Sequence, residues 1–406
     1  MGRLRIVLMG LCVWMAALAA CGEDTADEPA ADDAQPSLAQ ELGLTLYSGA
    51  ITPIEEDVDD NTTTYTFDPE EGPICMRGDP YRMSVRERDS EDLVIFLQGG
   101  GACLSEFCLA VTKAPAGIPG VDILRPDLPE NPVADWDVVY LPYCDGSFFA
   151  GDVSIDDNLN GNGTRHHRGL ANLTAALEVS LQHFPNPRRI LLAGSSGGAY
   201  GMMLGGPLVR HYYPDAELVM MADSGIGLGR HNEPEFIQGV LEEFNMLRFL
   251  PKDCPQCQSN GHLTGVVGYF LEREPDVRIG LYSAWYDAIL ARTFFQRPSD
   301  NFADGLDEQT ERLHQAHPER FRRFINDGIQ HTSLLGDATG IIGTDLGAVE
   351  VPPDTLTDLI SGELVIGGIN TTEIDGLTMA TWLSALIEGD LDVWVDVQQE
   401  RGPSPD

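Results

Sequence analysis

The sequence predicts one large α/β domain on a mostly parallel, doubly wound sheet with helices on both faces. Three observations carry this. Short strand-like segments recur at residues 93–97, 136–141, 190–193, 218–222, 277–283 and 321–325, the first, third and fourth of them uninterrupted apolar runs, as expected of strands buried on both faces. Between them lie stretches with helical apolar spacing, such as Leu170, Leu173, Ala176, Leu177 and Leu181. Glycine-rich turns then follow two of the runs, at 98–103 and 194–198, and strand ends are where such sheets carry their functional groups.

Ahead of the domain, residues 1–20 combine Arg3 and Arg5, an apolar stretch over 6–14 and small residues before Cys21. That pattern predicts a secretory signal rather than a membrane span. The ending Leu18-Ala19-Ala20-Cys21 resembles a bacterial lipobox. It implies cleavage before Cys21, a lipid on that cysteine and attachment to a bacterial membrane; an ordinary signal peptide cut after Ala20 is the alternative. The next stretch, 21–40, holds six acids and no Lys or Arg, which predicts a disordered acidic tether. The catalytic domain is expected over 41–398 as a single unit, closing with an amphipathic helix marked by Thr378, Trp382, Leu383 and Leu386, and a frayed tail over 399–406. The net charge of −39 argues against nucleic acid as a partner.

Past the signal and Cys21, the six cysteines are even in number, which favours disulfides in an exported chain. Their spacing suggests Cys103 with Cys108 and Cys254 with Cys257, leaving Cys75 with Cys144. A zinc site on Cys254, Cys257 and His262 is the rival reading, with too few ligands nearby to favour it.

In chain order, the run at 93–97 feeds Gln98-Gly99-Gly100-Gly101-Ala102-Cys103. Glycines after an early strand aim backbone N–H groups at a developing oxyanion, an approach that side chains would block. The third run leads into 142–152, where Tyr143, Asp145, Phe148 and Phe149 alternate with small residues as a cleft-lining loop does. His166 and His167 read as adjacent surface residues. Residues 190–193 then end in Gly194-Ser195-Ser196-Gly197-Gly198, a G-x-S-x-G turn between a strand and a helix. This is the context of a nucleophile elbow presenting Ser196; a phosphate-cradling loop is the alternative. In that topology the acid and the histidine follow the serine. His331 lies after the last expected strand, and Asp287 follows the strand before it. Asp223, after residues 218–222, is the competing acid or a turn-capping residue. The roles assigned are Ser196 as nucleophile, His331 as base, Asp287 as orienting acid, and the N–H groups of Gly100, Gly101 and Gly197 as oxyanion donors.

Seven collinear stretches together resemble the pectin acetylesterase/Notum family: QGGGAC at 98–103, YCDGSFFAGD at 143–152, RG at 168–169, GSSGG at 194–198, ADSG at 222–225, YDA at 286–288 and HTSL at 331–334. The resemblance implies an α/β-hydrolase-like fold, disulfides around the glycine-rich loop, no metal or other cofactor, and a triad on Ser196, Asp287 and His331. Plant relatives carry Trp at the position of Ala102 and Ala at that of Gly197, which alters the expected acyl pocket. The function expected is a serine carboxylesterase or deacetylase removing acetyl or another short acyl group from a glycan or small alcohol. Pectin is one candidate, although a body of −39 repels a polyanion unless salt screens it. The alternatives are a non-catalytic surface lipoprotein that binds glycan or protein, and a thioesterase or peptidase with the same triad.

Overall fold

The computed structural model of the protein describes residues 35–157, 163–336, 349–350 and 366–405. The expected signal over 1–20, Cys21 and most of the acidic tether lie outside them. From Pro36 onward the chain forms one compact unit.

The central sheet has ten strands, ordered in space as Pro53–Asp59, Thr62–Phe67, Arg82–Arg86, Asp137–Leu141, Asp92–Leu97, Arg189–Ser195, Glu217–Asp223, Arg278–Ala284, Phe321–Asn326 and Val397–Gln398. The first three strands pair antiparallel, and all pairs from Asp137–Leu141 onward are parallel. Burial explains this division. Every residue of Asp92–Leu97, Asp137–Leu141 and Arg189–Ser195 is buried, so these strands need apolar side chains on both faces. The outer strand Pro53–Asp59 is almost wholly exposed, and its Glu55, Glu56, Asp57 and Asp59 discourage pairing with another chain at that edge.

The pleat sorts the apolar residues into two layers. Leu93, Ile95, Leu97, Ile190 and Leu192 join the core packed beneath helices Gly169–His183 and Gly197–Tyr212. Val94, Phe96, Leu191 and Ala193 join a second core with Trp382, Leu383 and Leu386 of helix Met379–Glu388. The Thr378 side chain caps that helix and Gly389 ends it in the left-handed region. The cysteines pair as Cys75–Cys144, Cys103–Cys108 and Cys254–Cys257. With those two sulfurs bonded to each other, His262 instead accepts from the Gly229 N–H and meets His231.

Three boundaries differ from expectation. The domain begins earlier than residue 41: Ser37 and Gln40 form a reciprocal capping box at helix Leu38–Glu41, whose Leu38 and Ala39 are buried. The sheet does not end at 321–325, because Val397–Gln398 pairs parallel with Phe324 and Ile325. It is docked there by Asp396, which accepts from the N–H and guanidinium of buried Arg323 at 2.7–3.0 Å. Nor does the tail fray. Trp285 Nε1 donates to the Gln399 carbonyl at 2.9 Å, Tyr286 Oη to that of Gly402 at 2.5 Å, and Arg401 pairs with Asp300 and Asp304. The partners lie about a hundred residues away in sequence, so composition alone gives no sign of them.

This strap crosses Trp285 and Tyr286, next to Asp287. Removing residues 399–406 is therefore expected to destabilise the protein by about 2 kcal/mol, two net hydrogen bonds plus weak surface ion pairs. Urea unfolding measures it; a midpoint identical to that of the full chain would show the tail to be unattached in solution.

Candidate active site

Strand Arg189–Ser195 delivers Ser196 at φ 53° and ψ −120°, directly before helix Gly197–Tyr212. A residue with a β-carbon in that region is strained by about 1–3 kcal/mol and persists only where its surroundings fix it. Close approach fixes it here. A β-carbon on Gly194 would lie 2.5 Å from the Gly198 carbonyl oxygen, and one on Gly198 would lie 2.0 Å from that of Leu97. The Ser196 N–H donates to the Asp223 carbonyl at 2.7 Å.

His331 and Asp287 meet in the folded protein: Nδ1 lies 3.0 Å and 2.8 Å from the two carboxylate oxygens. Asp287 is fully buried and His331 nearly so. Oδ1 of Asp287 also accepts the N–H groups of Ile289 and Leu290, which anchors the acid at the start of the helical turn Ile289–Phe294. A carboxylate facing Nδ1 assigns the proton to that nitrogen and leaves Nε2 as the basic atom.

Asp223, the competing acid, has a different place. Its carboxylate accepts from Ser195 Oγ at 2.6 Å, the Ser333 N–H at 2.6 Å, Ser333 Oγ at 2.9 Å and the Leu334 N–H at 3.3 Å. Beside it, Ser224 Oγ accepts the Thr332 N–H at 2.9 Å. Asp223 and Ser224 thereby bolt the histidine loop to the elbow. Burial still lifts the Asp223 carboxyl to about 6, against the lowering effect of those bonds.

The glycine-rich loop packs against the elbow. A β-carbon on Gly197 would sit 3.5 Å from Gly101 N and 3.0 Å from Gly101 O, so the backbone amides of Gly101 and Gly197 are neighbours. Gly197 also opens its helix, where N–H groups lack intrahelical acceptors. Gly100 lies against the Tyr143 ring, and its carbonyl accepts the Val111 N–H. Residues Gly101–Cys103 pair antiparallel with Cys108–Val111, and the Cys103–Cys108 disulfide closes that hairpin.

Of the residues expected to line the cleft, Ala102 and Phe148 do so and three do not. Tyr143, Asp145 and Phe149 are fully buried beneath it. Tyr143 Oη donates to the Gly101 carbonyl at 2.8 Å and accepts the Phe148 N–H at 3.0 Å, which ties the glycine-rich loop to the turn at Phe148. Asp145 Oδ1 caps the turn through Ser147 N at 2.8 Å and Ser147 Oγ at 2.5 Å. The surface reading of the histidine pair fails for His167. The two occupy successive positions of strand Gly163–His167, so alternation turns His166 outward and His167 inward. His167 meets the Asp145 carbonyl at 2.9 Å, and burial lowers its pKa to about 3.

The cleft itself reaches from Ser196 and Gly197 along Leu104, Phe107, Leu228, Phe236 and Phe294, and leaves about 40 Å³ for the centre of a water-sized sphere. Its walls come from the disulfide hairpin, helix Pro234–Glu243 and the turn after Asp287. Nearly all of them are apolar, so the space suits hydrocarbon rather than a sugar ring.

Asp145 Oδ2 has no hydrogen-bond partner among the described residues, and burial raises this carboxyl to about 6. A carboxyl whose pKa is raised on folding contributes stability below its unfolded value near 3.8 and loses it as pH rises through about 6. Asp145→Asn keeps the neutral form at every pH. The variant is therefore expected to compare better with the parent protein at pH 8 than at pH 4.5, by denaturant unfolding. A gap between the two proteins that widens with rising pH would place the charged carboxylate in a satisfied site.

A family model described as Pectinacetylesterase matches residues 55–303, more than half of the chain. The matched span holds Ser196 and Asp287 and stops before His331, which the fold brings to Asp287. No curated protein matches the sequence. With its ten-stranded sheet, its three disulfides and this match, the chain belongs to the pectinacetylesterase family, which implies a carboxylic ester hydrolase.

Proposed function

We propose that the protein is a serine esterase that removes short acyl groups, acetyl among them, from a glycan or small alcohol through an acyl-enzyme. The observation that carries this reading is the His331–Asp287 pair held by Asp223 and Ser224 beside an elbow serine. In this reading His331 Nε2 takes the Ser196 Oγ proton as the oxygen attacks the ester carbonyl. The tetrahedral oxyanion is met by the backbone N–H groups of Gly101 and Gly197, with Gly100 as a further candidate, and the helix N-terminus adds to their field. The imidazolium, oriented and stabilised by Asp287, returns the proton to the leaving alkoxide. Water, deprotonated by the same nitrogen, then attacks the acyl-enzyme and releases the carboxylic acid.

The apolar cleft supports an aliphatic acyl group on its side of Ser196. Ala102 and Phe148 line it and are its specificity residues. For location, the three disulfides and the basic-then-apolar start support export, with a lipid on Cys21 holding the enzyme to a bacterial membrane.

A fluorophosphonate is expected to label the protein, and Ser196→Ala to abolish labelling. His331→Ala and Asp287→Asn should each lower kcat on p-nitrophenyl butyrate by about 10⁴. Butyrate should exceed acetate in kcat/KM, because each buried methylene contributes about 0.8 kcal/mol. Labelling that survives in Ser196→Ala would remove the serine from this role, and failure of every ester and of labelling would favour a binding lipoprotein on the same scaffold.

A further inference from the structure

Arg230 leaves the strand Glu217–Asp223 by a short loop and reaches the outer wall of the cleft. Its guanidinium carbon stands 4.2 Å from the centroid of the Phe236 ring, and its Nε donates to the Phe295 carbonyl at 2.7 Å. Phe236 and Phe295 both line the cleft. The side chain is thus fixed twice, by stacking and by one hydrogen bond.

What remains is unspent donor capacity. Among the described residues the two Nη groups have no acceptor and no carboxylate lies within ion-pair distance. Arginines that serve only to tie backbone behave otherwise: Arg320 gives an Nη to the Leu271 and Glu274 carbonyls, and Arg86 gives one to Leu124. The nearest acid in sequence, Glu233, is taken by Arg297 through both of its oxygens. The charges that act on Arg230 are Arg297, Glu233 and Glu106, the last exposed at the tip of the disulfide hairpin. With Glu233 paired to Arg297, Arg230 stands as a fixed, half-buried cation against two residues of the cleft wall, Phe236 and Phe295.

We propose that Arg230 forms an anion subsite at the cleft rim, taking a carboxylate or phosphate group carried by the ester substrate. This rests on the ester-hydrolase reading and adds the substrate's charge to it. A chain of −39 repels anions at long range, but the field of distant surface acids is screened beyond about 8 Å at physiological salt. A planar guanidinium with two free donors matches an oxyanion in two-point contact at short range. The anion sits on either the alcohol or the acyl part of the ester, and the two sources are separable.

The test compares kcat/KM for matched anionic and neutral esters. For the alcohol side the pair is 4-acetoxybenzoate and its methyl ester; for the acyl side it is mono(4-nitrophenyl) adipate and its methyl ester. In the parent protein one pair should favour the anionic member, and Arg230→Gln should lower that anionic-to-neutral ratio about fivefold, the scale of a partly exposed charged hydrogen bond. Arg230→Lys should restore part of it, 0.5 M NaCl should shrink it, and Arg312→Gln, remote and paired with Glu308, should leave it unchanged. Glu106→Gln, at an exposed position, should raise it. The pair that responds names the part of the ester that bears the anion. Ratios unmoved by Arg230→Gln and Glu106→Gln in both pairs would overturn the subsite. Calorimetric binding of 4-acetoxybenzoate and of the adipate monoester to Ser196→Ala, with and without Arg230→Gln, reads the same contact without turnover. No turnover of any ester by the parent protein, with Arg230-dependent binding retained, would thus overturn the esterase reading and keep the subsite, whereas binding unaffected by the arginine would overturn the subsite.

Discussion

The site depends on one buried carboxylate that does not touch His331. Asp223 ends the strand next to the elbow strand, and its backbone and side chain work on opposite partners. The carbonyl holds Ser196 N, while the carboxylate collects four donors from Ser195, Ser333 and Leu334. A parallel sheet places neighbouring strand ends about 5 Å apart, close enough for one side chain to span the elbow and the incoming loop. Without such a bridge the loop that carries His331 would lose its ties at Ser333 and Leu334 and keep those at Asp287 and Ser224. The two aspartates therefore divide the work that sequence order left open between them: Asp287 faces the imidazole and Asp223 faces its backbone.

A second tie acts on the other side of the serine. Tyr143 is buried under the glycine-rich loop, where its hydroxyl joins the Gly101 carbonyl to the Phe148 N–H. One phenol thereby couples the glycine-rich loop to Phe148, a wall of the cleft. The Cys75–Cys144 and Cys103–Cys108 disulfides flank the same loop pair. Burial raises the Tyr143 hydroxyl well above its ordinary range, so it stays a neutral donor.

How much of this was legible follows from where each signal is stored. Strands buried on both faces write themselves as apolar runs, and 93–97, 136–141, 190–193 and 218–222 each fall on a sheet strand. The elbow is legible because its glycines are demanded within five residues. Strand Val397–Gln398 is only two residues long and is held by Asp396 against Arg323, a tertiary pairing without local pattern. His167 was misread because Gly163–His167 is polar and gives no hydrophobic alternation to mark its inner face. Tyr143 and Asp145 carry the residue types of a lining loop, yet the Tyr143 hydroxyl and Asp145 Oδ1 are taken up by neighbouring backbone and Ser147 rather than facing the cleft. Polarity in a sequence does not distinguish a group that meets substrate from one that meets an amide.

Backbone strain gathers around the same place. Phe148, Ser196, Ser224 and Thr332 all have positive φ without being glycine. Each such residue costs on the order of 1–3 kcal/mol and needs neighbours that over-determine it. Here each has a stated restraint: Tyr143 on the Phe148 amide, Asp223 on the Ser196 amide, and Ser224 with Thr332 on each other. The restraints share atoms with the sheet ends, so the strain is resisted by strands buried on both faces rather than by the loops themselves. Relaxing any one of these angles would move the peptide it belongs to and, with it, the cleft wall at Phe148, the serine or the histidine loop. The rigidity of the sheet is thus the condition under which this site keeps its geometry, and the strained residues mark where that rigidity is delivered.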